Sequence, residues 1–245
     1  MNHTTKTSST IDWKKDALTQ FEQVVDSKGF PCIFGRNAQR RNQVSHTFVE
    51  SLESSSINTL YITIREYLER ELHWNGRAQS AVPLIVHFSH HAYTPASVRK
   101  DTEAAWGILA MLTSIDQIHG APPVNPDVID TPDWSFSIGG VEAFVNVSSP
   151  SYAKRKSRNL GNFLTFVINP RERFDQIAGD NIQGRKARSL IRRRIEKYDN
   201  RTHSPELGFY GSGSHEWKQY ALLDSQDIRD DECPYKYMFE RKIDG

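Results

Sequence analysis

The sequence lacks most of the features that would assign a class at once. It has 2 cysteines in 245 residues, far apart, so no disulfide framework holds it. It contains no run of about 18 apolar residues, the length a membrane-spanning helix needs. The first ten residues, MNHTTKTSST, have no apolar stretch of the kind a secretory signal carries. An excess of either charge is also missing. Lys+Arg total 31 and Asp+Glu 30, a net charge of +1. That balance argues against a whole-surface binder of nucleic acid or of an anionic membrane. Familiar catalytic signatures are absent too, among them G-x-G-x-x-G, the Walker loop, H-E-x-x-H and G-x-S-x-G. These absences favour a soluble, reduced, cytoplasmic globular protein. Residues 1–10 read as a disordered polar tail and 11–245 as a single domain.

What is present is a mixture of helical and extended patterns. Thr10 is a candidate N-cap for an amphipathic helix over 11–26, with Phe21, Val24 and Val25 on its apolar side. FPCIFG at 30–35 enters through a proline and reads as extended. A strand is predicted over 44–50, a helix over 57–74 and a buried strand over 81–89. Thr94-Pro95 opens a helix to about His119, whose middle is the most apolar helical stretch in the chain. Ser135–Ile138, Gly139-Gly140 and Val141–Val147 spell a hairpin, since Gly-Gly permits the positive φ a tight turn needs. A strand over 163–168 should stop at Asn169-Pro170, before a short helix over 171–178. A basic helix follows over 182–198, with Ala187, Leu190, Ile191, Ile195 and Tyr198 as its apolar face. Residues 200–245 read as an irregular aromatic tail. The sum is an α+β fold, a mainly antiparallel or mixed sheet with flanking helices.

Chemistry-bearing residues fall into three groups. His87, His90 and His91 cluster at a strand end, but adjacent side chains diverge and no carboxylate stands at ligand spacing, so a polar strand end is expected. The arginines and lysines of 182–198 form a solvated face, an anion site or a nucleic-acid patch. Acidic residues at 224–232 can neutralise part of them, which favours a local anion site. Cys32 and Cys233 each adjoin a proline, Pro31 and Pro234. A free cysteine is commonly a small buried hydrophobe. A thiolate is equally a ligand for haem iron. The aromatic residues around both cysteines suit a porphyrin face or an ordinary core.

At these residues the chain resembles the YqcI/YcgG family. The resembling pieces are Phe30-Pro31-Cys32, Pro132 through Gly140, Ser149-Pro150 through Arg158, Phe166 through Arg171 with Phe174, Glu216 through Tyr220, and Cys233-Pro234-Tyr235. They occur in the family's order and span nearly the whole chain. The resemblance implies a haem-dependent monooxygenase of bacterial specialised metabolism. Its reaction would hydroxylate a guanidine nitrogen, as in L-arginine to Nω-hydroxy-L-arginine, with O2 and an electron donor, or with peroxide. It implies haem b in a single catalytic domain; Cys32 is the expected iron ligand, with Cys233 as the rival and His87, His90 or His119 next in turn. Cys32 is preferred because Cys233 lies in a tail read as mobile. Arg158, Arg171 and Arg188 are candidates for the haem propionates. Asp133 and Glu216 are candidates for the substrate guanidinium, with Trp134 and Trp217 as aromatic neighbours. The chain departs from family members that carry His-Pro after the hairpin, because it has Ser149-Pro150 there. No histidine at that position serves as a ligand in this protein. Three other readings stay open on sequence: a haem-binding sensor or store without catalysis, a nucleic-acid binder using the basic helix, and an enzyme of this family acting on a different amine or guanidine.

Overall fold

A computed structural model describes residues 12–77, 80–209 and 213–240. The predicted tail at 1–10 and the Thr10 cap lie outside these residues.

The chain opens with α1 (Trp13–Asp26), capped by Asp12, whose carboxylate accepts the Lys14 N–H. The segment read as extended instead starts a second helix, α2 (Ile33–Arg40). Pro31 holds the approach extended, and the Cys32 sulfur then takes the N-cap place by accepting the Gly35 N–H at 3.2 Å. β1 (Ser45–Val49), α3 (Ser54–Glu71) and β2 (Leu84–Phe88) form a βαβ unit with β1 and β2 parallel. α4 (Val98–Ile118) begins three residues past Pro95 and is capped by Ser97.

A single turn, α5 (Pro126–Ile129), leads to the expected hairpin of β3 (Ser137–Ile138) and β4 (Val141–Ser148). Gly139 and Gly140 carry φ of +59° and +76°, and Asp116 receives the Gly139 N–H. β5 (Thr165–Pro170) runs antiparallel to both β4 and β2. It takes in Asn169 and Pro170 and ends there, two residues beyond the expected end at Ile168. Pro170 lies opposite Ala143, and the ladder bond beside it is made by the Arg171 N–H to the Glu142 carbonyl. The strand order is β1-β2-β5-β4-β3. α6 (Glu172–Ala178) and α7 (Ile182–Asp199) follow. Leu190, expected on the apolar face of α7, is 39% exposed.

The segment read as an irregular, mobile tail is tied into the core. It forms α8 (Trp217–Tyr220) and α9 (Pro234–Glu240). Trp217, Tyr220, Cys233 and Tyr235 are all buried, and Trp106 of α4 stacks on Tyr220 with ring centres 5.7 Å apart.

Strand alternation gives the sheet two unlike faces. Ala143, Val145, Val147, Phe166, Ile168, Leu84 and Val86 join α3, α4 and α9 in one apolar core. Phe144, Asn146, Ser148, Val167, Asn169 and Ile85 point the other way, toward α1, α2, α6 and α7. That second side is only partly filled. Phe21, Val25, Phe30, Ile85 and Leu160 form a small cluster, and the rest is a cleft.

Candidate active site

The cleft has an empty volume of about 1960 Å³, its open mouth included. Its walls are mostly apolar: Phe34 and Ala38 of α2, Phe174 and Ile177 of α6, Ile191 and Ile195 of α7, with Phe144 and Val167 of the sheet. Three kinds of polar group interrupt them.

The first is Cys32. Its sulfur stands at the N-terminus of α2, where helix N–H groups favour an anion. Burial pushes the thiol pKa up, while the N–H groups of Gly35 and Phe34 and the Arg194 guanidinium pull it back. A Cβ at Gly35 would lie 3.4 Å from Sγ, in van der Waals contact with it. The second group is a set of arginines. Arg158, buried, donates to the Gln219 and Tyr220 carbonyls at 2.9 and 3.1 Å, and burial lowers its pKa to about 10. Arg188 donates to the Ala178 and Gly179 carbonyls and lies over the Phe209 ring. Arg155 and Arg173, both cleft residues, are 1% and 2% exposed. Among the described residues, Arg155 Nη1 and Arg173 Nε are buried without a hydrogen-bond partner. Arg155 is otherwise held by the Leu223 and Ser225 carbonyls, and Arg173 by Glu71 and the Val82 carbonyl. A buried donor left unpaired costs about 1–3 kcal/mol, so each free nitrogen suits an added acceptor.

The third group is Glu216, only 4% exposed. Burial raises its pKa to about 7. Its neighbour Tyr220 has a single hydroxyl proton, yet its oxygen lies 2.8 Å from Glu216 Oε1 and 3.0 Å from the Ala143 carbonyl, and it accepts the Phe136 N–H. When Glu216 is protonated, it donates to Tyr220, which donates to Ala143, and every group is satisfied. When Glu216 ionises, Tyr220 must choose between two acceptors. Nearby, Arg171 bridges Glu142 at 2.6 Å and Asp175 at 2.9 Å. Asp175 lines the cleft, and burial raises its pKa also.

The predicted site residues therefore separate. Cys32, Arg158, Arg188 and Glu216 share the cleft. Arg171 stands beside it, engaged with carboxylates. Asp133 is exposed and is not a lining residue; Trp134 packs on Tyr235. Trp217 is buried in the opposite core, its Nε1 on Asp130 at 2.9 Å. Cys233 is buried there too, heading α9, with its pKa pushed up to about 12 by burial. Ser149 donates to Asp101 and does not line the cleft. His87 stacks on His46 with Nε2···Nδ1 at 3.0 Å, His90 lies on the Asn162 carbonyl at 2.9 Å, and His91 is exposed, so the three do not converge. Sequence reasoning missed Arg155, Arg173 and Asp175. Lys154-Arg155-Lys156 is a basic run of the kind usually found on a surface, and nothing local marks the other two.

An apolar cleft with a helix-head thiol, unpaired arginine nitrogens and one buried carboxyl is a candidate ligand-binding site. The chain belongs to the YqcI/YcgG family, whose model matches residues 21–236. It is 40% identical over 229 residues to the Streptomyces lavendulae protein named "Putative N(omega)-hydroxy-L-arginine synthase DcsA", covering 92% of this chain and 84% of that one. It is 30% identical to the uncharacterized protein YqcI of Bacillus subtilis strain 168, over 94% of this chain and 91% of YqcI. For YcgG of the same strain the identity is 29%, over 93% and 89%. No solved structure matches. Among the described residues, no helix is long and apolar enough to cross a membrane.

Proposed function

We propose that this chain hydroxylates a guanidine nitrogen of L-arginine or a close analogue, with haem b held in the cleft and Cys32 as its iron ligand. The observation that carries the reading is that Cys32 and Glu216, from opposite ends of the sequence, line one apolar cleft. The name of the S. lavendulae relative supplies the substrate. O2 with an electron donor, or peroxide, would be the co-substrate, and bacterial specialised metabolism the setting.

The residues fit the cofactor. Bound haem would supply oxygen activation, with a thiolate ligand pushing electron density toward O–O cleavage. Cys32 holds its sulfur at the helix head, where the Gly35 N–H fixes its direction. Arg155 and Arg173 offer unpaired nitrogens to propionates, with Arg158 and Arg188 adding charge beside them. The Phe, Ile and Val walls exclude water. Glu216, when ionised, holds the substrate guanidinium, a planar cation that a carboxylate can bind through two parallel bonds. Asp175 stands beside that position as a second acceptor, and Arg171 fixes its carboxylate.

An absorption spectrum of the purified protein, its Cys32→Ala and Cys233→Ala variants, and mass spectrometry of an arginine incubation test this together. The expected result is a haem spectrum of thiolate type, lost only in Cys32→Ala, and a product with one added oxygen. A colourless protein, or loss confined to Cys233→Ala, would refute the assignment.

A further inference from the structure

α7 carries seven basic residues against two acidic ones, Glu196 and Asp199, and Asp199 is buried on Ser157. The cations do not form one undivided face. Arg188 and Arg192 turn toward the cleft. Lys186, Arg193 and Lys197, spaced i, i+7 and i+11, fall on one exposed stripe. The ion pairs in this region, Arg185–Asp180 and His203–Glu196, leave the helix about 80–100° away from that stripe. The stripe also carries two exposed apolar residues, Ile182 at 65% and Leu190 at 39%. Apolar contacts among basic residues suit a protein footprint better than a polyanion groove, where apolar surface gains nothing from phosphate.

The same helix touches the loop that presents Cys32. Arg194, one residue on from Arg193, donates to the Phe30 carbonyl at 2.6 Å and the Pro31 carbonyl at 3.2 Å. Tyr198 packs edge-on against Phe30, ring centres 6.0 Å apart. Few bonds separate the outer stripe from the candidate iron ligand: Arg194 to the Pro31 carbonyl, then the peptide to Cys32.

We propose that the Lys186–Arg193–Lys197 face of α7 is the docking surface for an acidic one-electron carrier protein. Ile182 and Leu190 supply the apolar contacts, and electrons pass toward Cys32 through the loop that Arg194 holds. This rests on the haem reading above. Hydroxylation of an N–H by O2 consumes two electrons and two protons and yields N–OH and water. Each docking event oxidises the carrier by one electron, which would pass to the haem held in the cleft, so two events supply the two electrons of one turnover.

The test uses the holoprotein, an acidic plant-type [2Fe–2S] ferredoxin, and the variant Lys186→Glu/Arg193→Glu/Lys197→Glu. These three residues lie outside the cleft, so haem content, arginine binding and reduction by dithionite serve as controls for folding. Two quantities are read: ferredoxin affinity by biolayer interferometry, and the rate of haem reduction by reduced ferredoxin under carbon monoxide. The wild-type protein is expected to lose about tenfold in both as ionic strength rises from about 0.02 to 0.3 M. The variant is expected to lose at least about tenfold in both at low salt, with its controls unchanged. Unchanged affinity and rate in a red, folded variant would overturn the docking surface alone. So would a variant that keeps ferredoxin binding but loses affinity for a DNA duplex. A colourless wild-type protein would overturn the haem reading, and the docking proposal with it.

Discussion

Glu216→Gln separates two consequences of burying one carboxyl. In the fold the group titrates near pH 7, against 4.5 for an ordinary glutamate. Burial favours the neutral form, so its contribution is fully present below the unfolded value of 4.5. It is lost as pH rises through 7, because the unfolded chain releases the proton first. At about 1.4 kcal/mol per pKa unit, the full loss is about 3 kcal/mol, of which about 2–3 falls between pH 5 and pH 8. Glutamine cannot ionise, and its amide can donate to Tyr220 as the protonated acid does. Urea unfolding of both proteins at pH 5, 6, 7 and 8 should therefore give curves that diverge with pH. The wild type should lose about 2–3 kcal/mol relative to the variant over that range. A difference that stays constant with pH would show that Glu216 does not titrate there, and the Tyr220 proton assignment would fall with it. Arginine affinity moves the opposite way. Loss of a charge-assisted pair of about 1.5–3 kcal/mol predicts binding about 10- to 100-fold weaker at pH 8 in the variant, read by calorimetry. Equal affinity would remove Glu216 from the substrate site while leaving its stability role intact.

Two further substitutions probe the frame around the site. Cys233→Ala, in the core opposite the cleft, should cost about 1 kcal/mol in urea unfolding; a loss above about 4 kcal/mol would point to a role beyond packing. Gly184→Ala places a Cβ 2.2 Å from the Gly179 carbonyl oxygen and 2.8 Å from its nitrogen, both backbone atoms. The α6–α7 junction must move, at a cost of about 1–3 kcal/mol; an unchanged melting temperature in calorimetry would refute so close a contact.

Most long elements were legible because their signals are local. The hairpin was announced by Gly139-Gly140, and α3, α4 and α7 by periodicity and length. α2 was not legible. Its eight residues include Gly35 and only two large apolar side chains at its start, and its cap is a cysteine rather than Ser, Thr, Asn or Asp. The C-terminal segment was misread for a different reason. Its helices are too short to show a period, so tertiary packing alone orders them, although the aromatics Trp217, Tyr220, Tyr235 and Phe239 were a sign of burial. For the cleft, sequence could propose Cys32, Arg158, Arg188 and Glu216 singly. It could not show that strand alternation leaves the second face of the sheet open to receive them. Asp133 had local support as well as Glu216, and only the fold distinguishes an exposed turn residue from a buried carboxyl.

Alternation along β4 has a consequence for how this molecule can change. Ala143, Val145 and Val147 answer to the folding core, whereas Asn146 and Ser148 answer to the cleft; Phe144 lines the cleft and also packs edge-on against Tyr220. Two sets of demands are thus written on one strand and kept apart by a single peptide's pleat. The cleft can be recut at every second residue while the intervening positions go on holding the sheet to α3 and α4. Such a strand lets selection alter what the protein accepts without renegotiating whether it folds.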